Sequence, residues 1–252
     1  MTDVPVISIF GSAIKVHDWL KFYEKLSHND VSFVIIFAGH VRPDFELPSN
    51  FKYIYASVKP AQCFHIAYSN TSGKYVLNSP DDFEFSPHAL DNMLSMLQQK
   101  DENKTIVTSR YFYSGVEIPL ISFRDSSDIA YYPPSGIVVS FGSLVKKNLF
   151  EKLGGIDNRF LALYWDLDIV MQLYVLGGKV IICENATCDE PIKNSLHKLR
   201  GKYDFKFFLN LWCKTENGQK ILTLNRNSPV APFINDESIL SKSQGYAISR
   251  WP

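Results

Sequence analysis

The chain has 252 residues, enough for one large α/β domain or one domain with an appendage. At 46% hydrophobic and 21% charged residues it has material for a sizeable core, which excludes a disordered chain. The balance of 26 basic against 26 acidic residues excludes a protein that holds nucleic acid chiefly by neutralising phosphates.

The predicted elements alternate from the start. Val4–Phe10 is a β-rich run ended by Gly11-Ser12-Ala13, and Trp19, Leu20, Phe22, Tyr23 and Leu26 follow at helical spacing. Val31–Phe37 reads as a buried strand stopped by Ala38-Gly39-His40, and Phe51–Ala56 as a third strand. A helix over Ala61–Ser69 turns at Gly73 into a strand, Lys74–Asn78. Ser86 and Pro87 read as the cap and first position of a helix that runs through Leu97.

The second half opens with a strand at Thr105–Ser109. The segment from Arg110 to Pro134 is too long for a plain connection and is expected to be functional or to carry short strands of its own. A helix closes over Phe150–Gly155, and Asp157–Tyr164 connects it to a helix at Asp166–Leu176. Gly177-Gly178 stops that helix before a strand at Lys179–Cys183. Beyond about Lys193 the alternation fades into a basic stretch and the aromatic cluster Tyr203, Phe205, Phe207, Phe208, Leu211 and Trp212. That cluster is too apolar to stay exposed, so residues 193–252 are expected to form an extension packed on a core of residues 1–192.

Strands separated by helices predict an α/β, Rossmann-like fold with a mostly parallel sheet covered on both faces. Ligands then bind beyond the carboxyl ends of the strands. That rule selects three loops: Phe10-Gly11-Ser12, Ala38-Gly39-His40 and Ser79-Pro80-Asp81-Asp82. Adjacent carboxylates directly after a strand, Asp81 and Asp82, are the residue types that hold a hard divalent cation against a diphosphate; a turn in which an Asp bonds its own backbone uses the same residues. Trp165-Asp166-Leu167-Asp168-Ile169 places carboxylates at a helix start, where one can take the proton from an acceptor hydroxyl or serve as a first-turn acid.

Together these segments resemble the signature of the family 2 glycosyltransferases. Gly154-Gly155-Ile156-Asp157-Asn158-Arg159-Phe160 followed by Trp165-Asp166-Leu167-Asp168-Ile169 is similar to that family's Gly-Gly-Phe-Asp motif with its Glu-Asp-x-Asp helix start. Ser72–Leu77 followed by Asp81-Asp82 resembles the strand that leads to its Asp-x-Asp metal motif. The resemblance implies a GT-A fold, a nucleotide-sugar donor, a divalent metal (Mn2+ or Mg2+) and an inverting displacement. Asp82 then matches the metal ligand, Asp81 the middle of the motif and Pro80 its first position. Asp166 matches the catalytic base, and Trp165 stands where the family has Glu.

The resemblance also makes His197 a candidate for a further metal contact, and Phe10, Gly11, Ser12, Gly39, Pro80 and Asp81 candidates for donor contacts. Acceptor glycan, lipid-linked sugar, protein and modified nucleobase all stay open, and a homo-oligomer is compatible with the sequence. The alternatives are a nucleotidyltransferase, for which Gly11–Lys15 is a poor loop, and a degenerate GT-A protein that binds without catalysis.

Four cysteines, Cys63, Cys183, Cys188 and Cys213, lack metal-ligand spacing and read as reduced thiols. No leader-like start and no apolar stretch of membrane-span length are seen. The expectation is a cytoplasmic protein with no integral membrane segment.

Overall fold

The computed structural model describes residues 6–13, 19–118, 140, 142–191, 203, 204, 207, 208 and 211. His197, most of the Arg110–Pro134 connection and the basic side chains between 193 and 206 lie outside the described residues. The elements are β1 (Ile7–Ala13), α1 (Trp19–Leu26), β2 (Phe33–Gly39), β3 (Phe51–Tyr55), α2 (Pro60–Ser69), β4 (Tyr75–Asn78), β5 (Glu84–Phe85), α3 (Ala89–Gln98), β6 (Thr105–Tyr113), β7 (Val116–Ile118), β8 (Ser143–Lys146), α4 (Lys147–Lys152), α5 (Trp165–Val175) and β9 (Lys179–Glu190).

They form one nine-stranded sheet in the order β3-β2-β1-β4-β8-β6-β9-β5, with β7 paired to β6. The pairs β1–β2, β1–β4, β2–β3 and β6–β9 are parallel, so six strands run one way and β5, β7 and β8 run against them. The expected mostly parallel sheet flanked by helices is present. Its central parallel strands β1, β2 and β4 are largely buried, mostly apolar runs because both faces are covered there. One face carries α2, α4 and α5 over Phe10, Ile36, Val76, Ile106 and Val145; the other carries α1 and α3 over Ile9, Ile35, Phe37 and Leu77.

Several boundaries differ from those read in the sequence. β1 runs on through Gly11, Ser12 and Ala13, and β2 through Ala38 and Gly39, so these residues extend strands and do not end them. Glycine is required at Gly11 because the chain crosses over it: a β-carbon there would lie 1.8 Å from the Ser79 carbonyl oxygen. The helix expected from Ser86 starts at Ala89, with His88 as its cap in a left-handed conformation. Ser86 turns its hydroxyl to β9 instead, where Oγ accepts the Thr187 N–H at 3.1 Å.

Both glycine pairs of the second half end helices by the same device. Gly155 donates to the Phe150 carbonyl and Gly154 to that of Glu151 beyond α4; Gly178 donates to Leu173 and Gly177 to Tyr174 beyond α5. Gly154 and Gly177, directly after the caps Leu153 and Leu176, have positive φ, as this double-bonded helix end demands.

Candidate functional site

β4 ends at Asn78 in the middle of the sheet, and the chain must then pass to β5, which pairs with β9 on the far side of β8 and β6. The connecting segment is buried: Ser79 and Asp81 are fully covered and Asp82 is only 5% exposed. Trp19 of α1, itself fully buried, donates its indole N–H to Asp81 Oδ2 at 3.0 Å. A carboxylate buried at this point needs such a donor, and this one ties the acidic turn to the face opposite α5.

On the α5 face a small cleft, with room for about one water molecule, lies between the sheet and the start of α5. Its walls are apolar, from Phe10, Ile106, Val145, Phe150, Trp165 and Ile169. Its polar groups are Asn78, Ser140, Ser143 and Asp166, and Asp166 is the one carboxylate among the described residues that line it. Asn78 Oδ1 accepts from both the backbone N–H of Ser143 at 2.9 Å and its hydroxyl at 2.7 Å, which joins the end of β4 to the start of β8.

Asp166 enters the cleft because of how α5 begins. Tyr164 caps the helix in a left-handed conformation, φ 67°. Trp165 and Asp166 then occupy the first turn, and Leu167 donates its N–H to Asp166 Oδ1 at 2.9 Å. Burial pushes the Asp166 carboxyl up to about 6, although bonds from the Leu167 and Asp166 N–H groups pull it down. Desolvation wins because the surrounding walls are apolar. Asp168 faces elsewhere: it is 3% exposed, and its Oδ2 accepts from Gln172 Nε2 at 2.9 Å one turn along the same helix.

The Gly-Gly-Ile-Asp segment has structural duties. Asp157, 1% exposed, accepts the Arg159 backbone N–H at 3.0 Å and pairs with its guanidinium, while Arg159 also lies 4.8 Å over the Phe207 ring. His65 of α2 bonds the Ile156 carbonyl through Nδ1 at 3.3 Å, and burial lowers its pKa.

Of the residues selected from sequence, Phe10 and Asp166 line the cleft. Gly11 and Ser12 are buried within β1, and Gly39 packs against Ala13, whose carbonyl oxygen would lie 2.2 Å from a β-carbon there. Pro80, Asp81 and Asp82 belong to the buried turn after β4 and are not among the cleft-lining residues. Asn78, Ser140 and Ser143 were missed: Asn78 carries a signal, a polar residue closing an apolar strand, whereas the two serines look like any others in the sequence. Among the described residues, one group of three His, Cys, Asp or Glu side chains has converging ligand atoms, Asp30, His88 and Asp91, at the head of α3 and apart from the acidic turn.

In the acidic turn Pro80 offers no side-chain ligand, Asp81 accepts the Trp19 N–H, and Asp82 is a second buried carboxylate of the type that holds a hard divalent ion. Three cysteines, Cys63, Cys183 and Cys188, are buried free thiols. No helix among the described residues is long and apolar enough to cross a membrane.

No protein-family model matches the sequence, and no curated protein is similar to it in sequence. Solved structures do match. The crystal structure of GalNAc-T7 with UDP, GalNAc and Mn2+ superposes with a TM-score of 0.62 at 9% identity, over 84% of this chain and 49% of that one. TarS of S. aureus matches with a TM-score of 0.59 at 10% identity, over 84% of this chain and 40% of that one. A shorter form of TarS in complex with UDP matches with a TM-score of 0.54 at 10% identity, over 87% of this chain and 75% of that one. The chain thus spans about half the length of the GalNAc-T7 chain. Similarity at this level of identity speaks for the fold: the chain has the GT-A, glycosyltransferase-like fold.

Proposed function

We propose that the protein is a glycosyltransferase that moves a hexosyl or pentosyl group from a nucleotide-sugar donor to an acceptor hydroxyl with inversion. Asp166 is its general base. The observation that carries this reading is a single carboxylate, raised to about 6, at the head of α5 in an apolar cleft of a GT-A-type sheet. A base of that strength is ionised at neutral pH yet holds a proton better than an ordinary aspartate, which suits proton transfer in the displacement.

The acceptor oxygen forms its bond to the anomeric carbon as the bond from that carbon to the diphosphate oxygen breaks. The hydroxyl proton passes to Asp166, and the nucleoside diphosphate leaves. The apolar walls from Phe10, Phe150 and Trp165 limit water at the reacting centre. Asp82 is the residue that would hold a divalent cation, which when bound would neutralise charge on the departing diphosphate.

The test is release of UDP from UDP-hexoses, UDP-GalNAc among them, with and without manganese. Asp166→Asn is expected to lose roughly 10²–10⁴-fold in turnover, the usual scale for a general base, with donor affinity nearly unchanged. Wild-type turnover should fall below about pH 6, because the base must be ionised to act. Asp82→Ala should abolish any gain in donor affinity on adding manganese. UDP release by Asp166→Asn at the wild-type rate would overturn the base assignment. Binding of UDP-hexoses without any turnover would favour a GT-A protein that binds without catalysis.

A further inference from the structure

The segment that delivers Asp166 to the cleft is held by a residue far along the chain. Asp204 is fully buried, and its carboxylate accepts three consecutive backbone N–H groups: Leu161 on Oδ1 at 2.7 Å, and Ala162 and Leu163 on Oδ2 at 2.8 and 2.9 Å. These three residues lie directly before Tyr164, the left-handed cap on which α5 starts. Around this clamp Phe207 meets Phe160 at 4.8 Å, and Phe208, 2% exposed, meets Tyr164 at 5.8 Å. On the other side the Leu161 carbonyl accepts the N–H of Ala61 at the start of α2 at 3.0 Å.

We propose that Asp204 is a positioning residue for Asp166, so that the C-terminal segment sets the geometry of the catalytic base; the inference rests on the proposed role of Asp166. A buried carboxylate that takes three N–H groups is both stabilised as an anion and rigidly placed. A left-handed non-glycine residue such as Tyr164 persists only where its surroundings over-determine it. The Asp204 clamp on one side of that residue, the Phe208 ring against it and the Asp168 N–H bonded to its carbonyl at 2.9 Å supply that constraint. With the clamp gone, α5 is free to start one residue early or late. Asp166 then leaves its apolar niche.

Asp204→Asn keeps the shape but turns one acceptor oxygen into a donor that faces N–H groups. Its effect is read first without turnover, by titrating the Asp166 carboxyl carbon with NMR in selectively labelled protein, assigned by its loss in Asp166→Asn. The expected result is a wild-type titration near 6 that moves toward the ordinary aspartate range in Asp204→Asn. Release of UDP from UDP-GalNAc is expected to drop at least about 10-fold in kcat, with KM changed less than about 3-fold and the acid limb of the pH profile shifted the same way. In the double-mutant cycle Asp204→Asn should cost little once Asp166 is already Asn, because both act through one group.

If Asp204→Asn does not fold, Asp204→Glu, which keeps the charge and displaces it by one methylene, is read in the same ways. An unchanged Asp166 titration in a folded variant overturns the proposal, as do additive losses in the cycle. If Asp166→Asn itself keeps wild-type turnover, the reading of Asp166 fails, and the titration still decides whether Asp204 positions it.

Discussion

Burial raises the Asp166 carboxyl from 3.8 to about 6 even though it accepts the Leu167 N–H. The folded protein therefore binds that proton more tightly than the unfolded chain does. Between these two values stability falls as pH rises, and above about 6 the whole cost of the buried charge is present. At about 1.4 kcal/mol per pH unit the cost is on the order of 3 kcal/mol, less whatever cleft water screens. Asp166→Asn should accordingly raise the melting temperature at neutral pH while it lowers turnover, and the gain should fade as the pH is lowered toward 4. Melting curves of the two proteins across that range check it; a variant that melts lower than wild type at neutral pH contradicts the origin given for the raised pKa. Asp166 was legible in the sequence because a carboxylate at a helix head stands beside a resembling motif. The polar contacts between distant segments were not: Asn78 and Ser143 meet only once β4 and β8 pair, and Trp19 finds Asp81 only when α1 folds across the sheet.

At the scale of elements, long apolar runs and glycine pairs were readable, and short strands were not. β1, β2, β4, β6, α2 and α5 carry patterns several residues long. β5, β7 and β8 have two to four residues each and are set by their pairing, β5 with β9, β7 with β6, and β8 with both β4 and β6. The Gly177-Gly178 stop was visible as composition, and the structure assigns each glycine its own reason. Gly177 sits at φ 71° with open space where a β-carbon would go, so Gly177→Ala should cost only the left-handed backbone penalty, about 1 kcal/mol. Gly178 is different: a β-carbon there would lie 2.6 Å from the Lys104 carbonyl oxygen and 2.4 Å from Leu173. Gly178→Ala should therefore destabilise more than Gly177→Ala, because the contact between α5 and the start of β6 must open. Urea unfolding of the two variants orders them, and the reverse order would contradict the helix-end geometry.

The whole molecule joins two halves of the chain in one sheet: β1 to β4 supply the parallel half, while β6, β8 and β9 supply the rest with β5 at the edge. The cleft lies where β4 meets β8, so neither half alone can form it. The described residues of the tail add a third contribution to the same place. Tyr203, Asp204, Phe207, Phe208 and Leu211 have helical backbone, and Phe207, Phe208 and Leu211 join the core on the α5 face. Burial of a phenylalanine such as Phe208 contributes about 1.5–3 kcal/mol, and the three N–H bonds to Asp204 add the larger values typical of charged acceptors. Removal of both is a large fraction of the 5–15 kcal/mol that usually holds a domain of ordinary size together. A chain cut after Asn194 should thus lose its cooperative melting transition or melt far below the full chain. A chain cut after Asn225 keeps these contacts and should melt close to the full chain. Calorimetry of the two truncated proteins at the same concentration separates the cases, and a full transition at the wild-type temperature in the shorter one would show that the tail contributes no stability to the core.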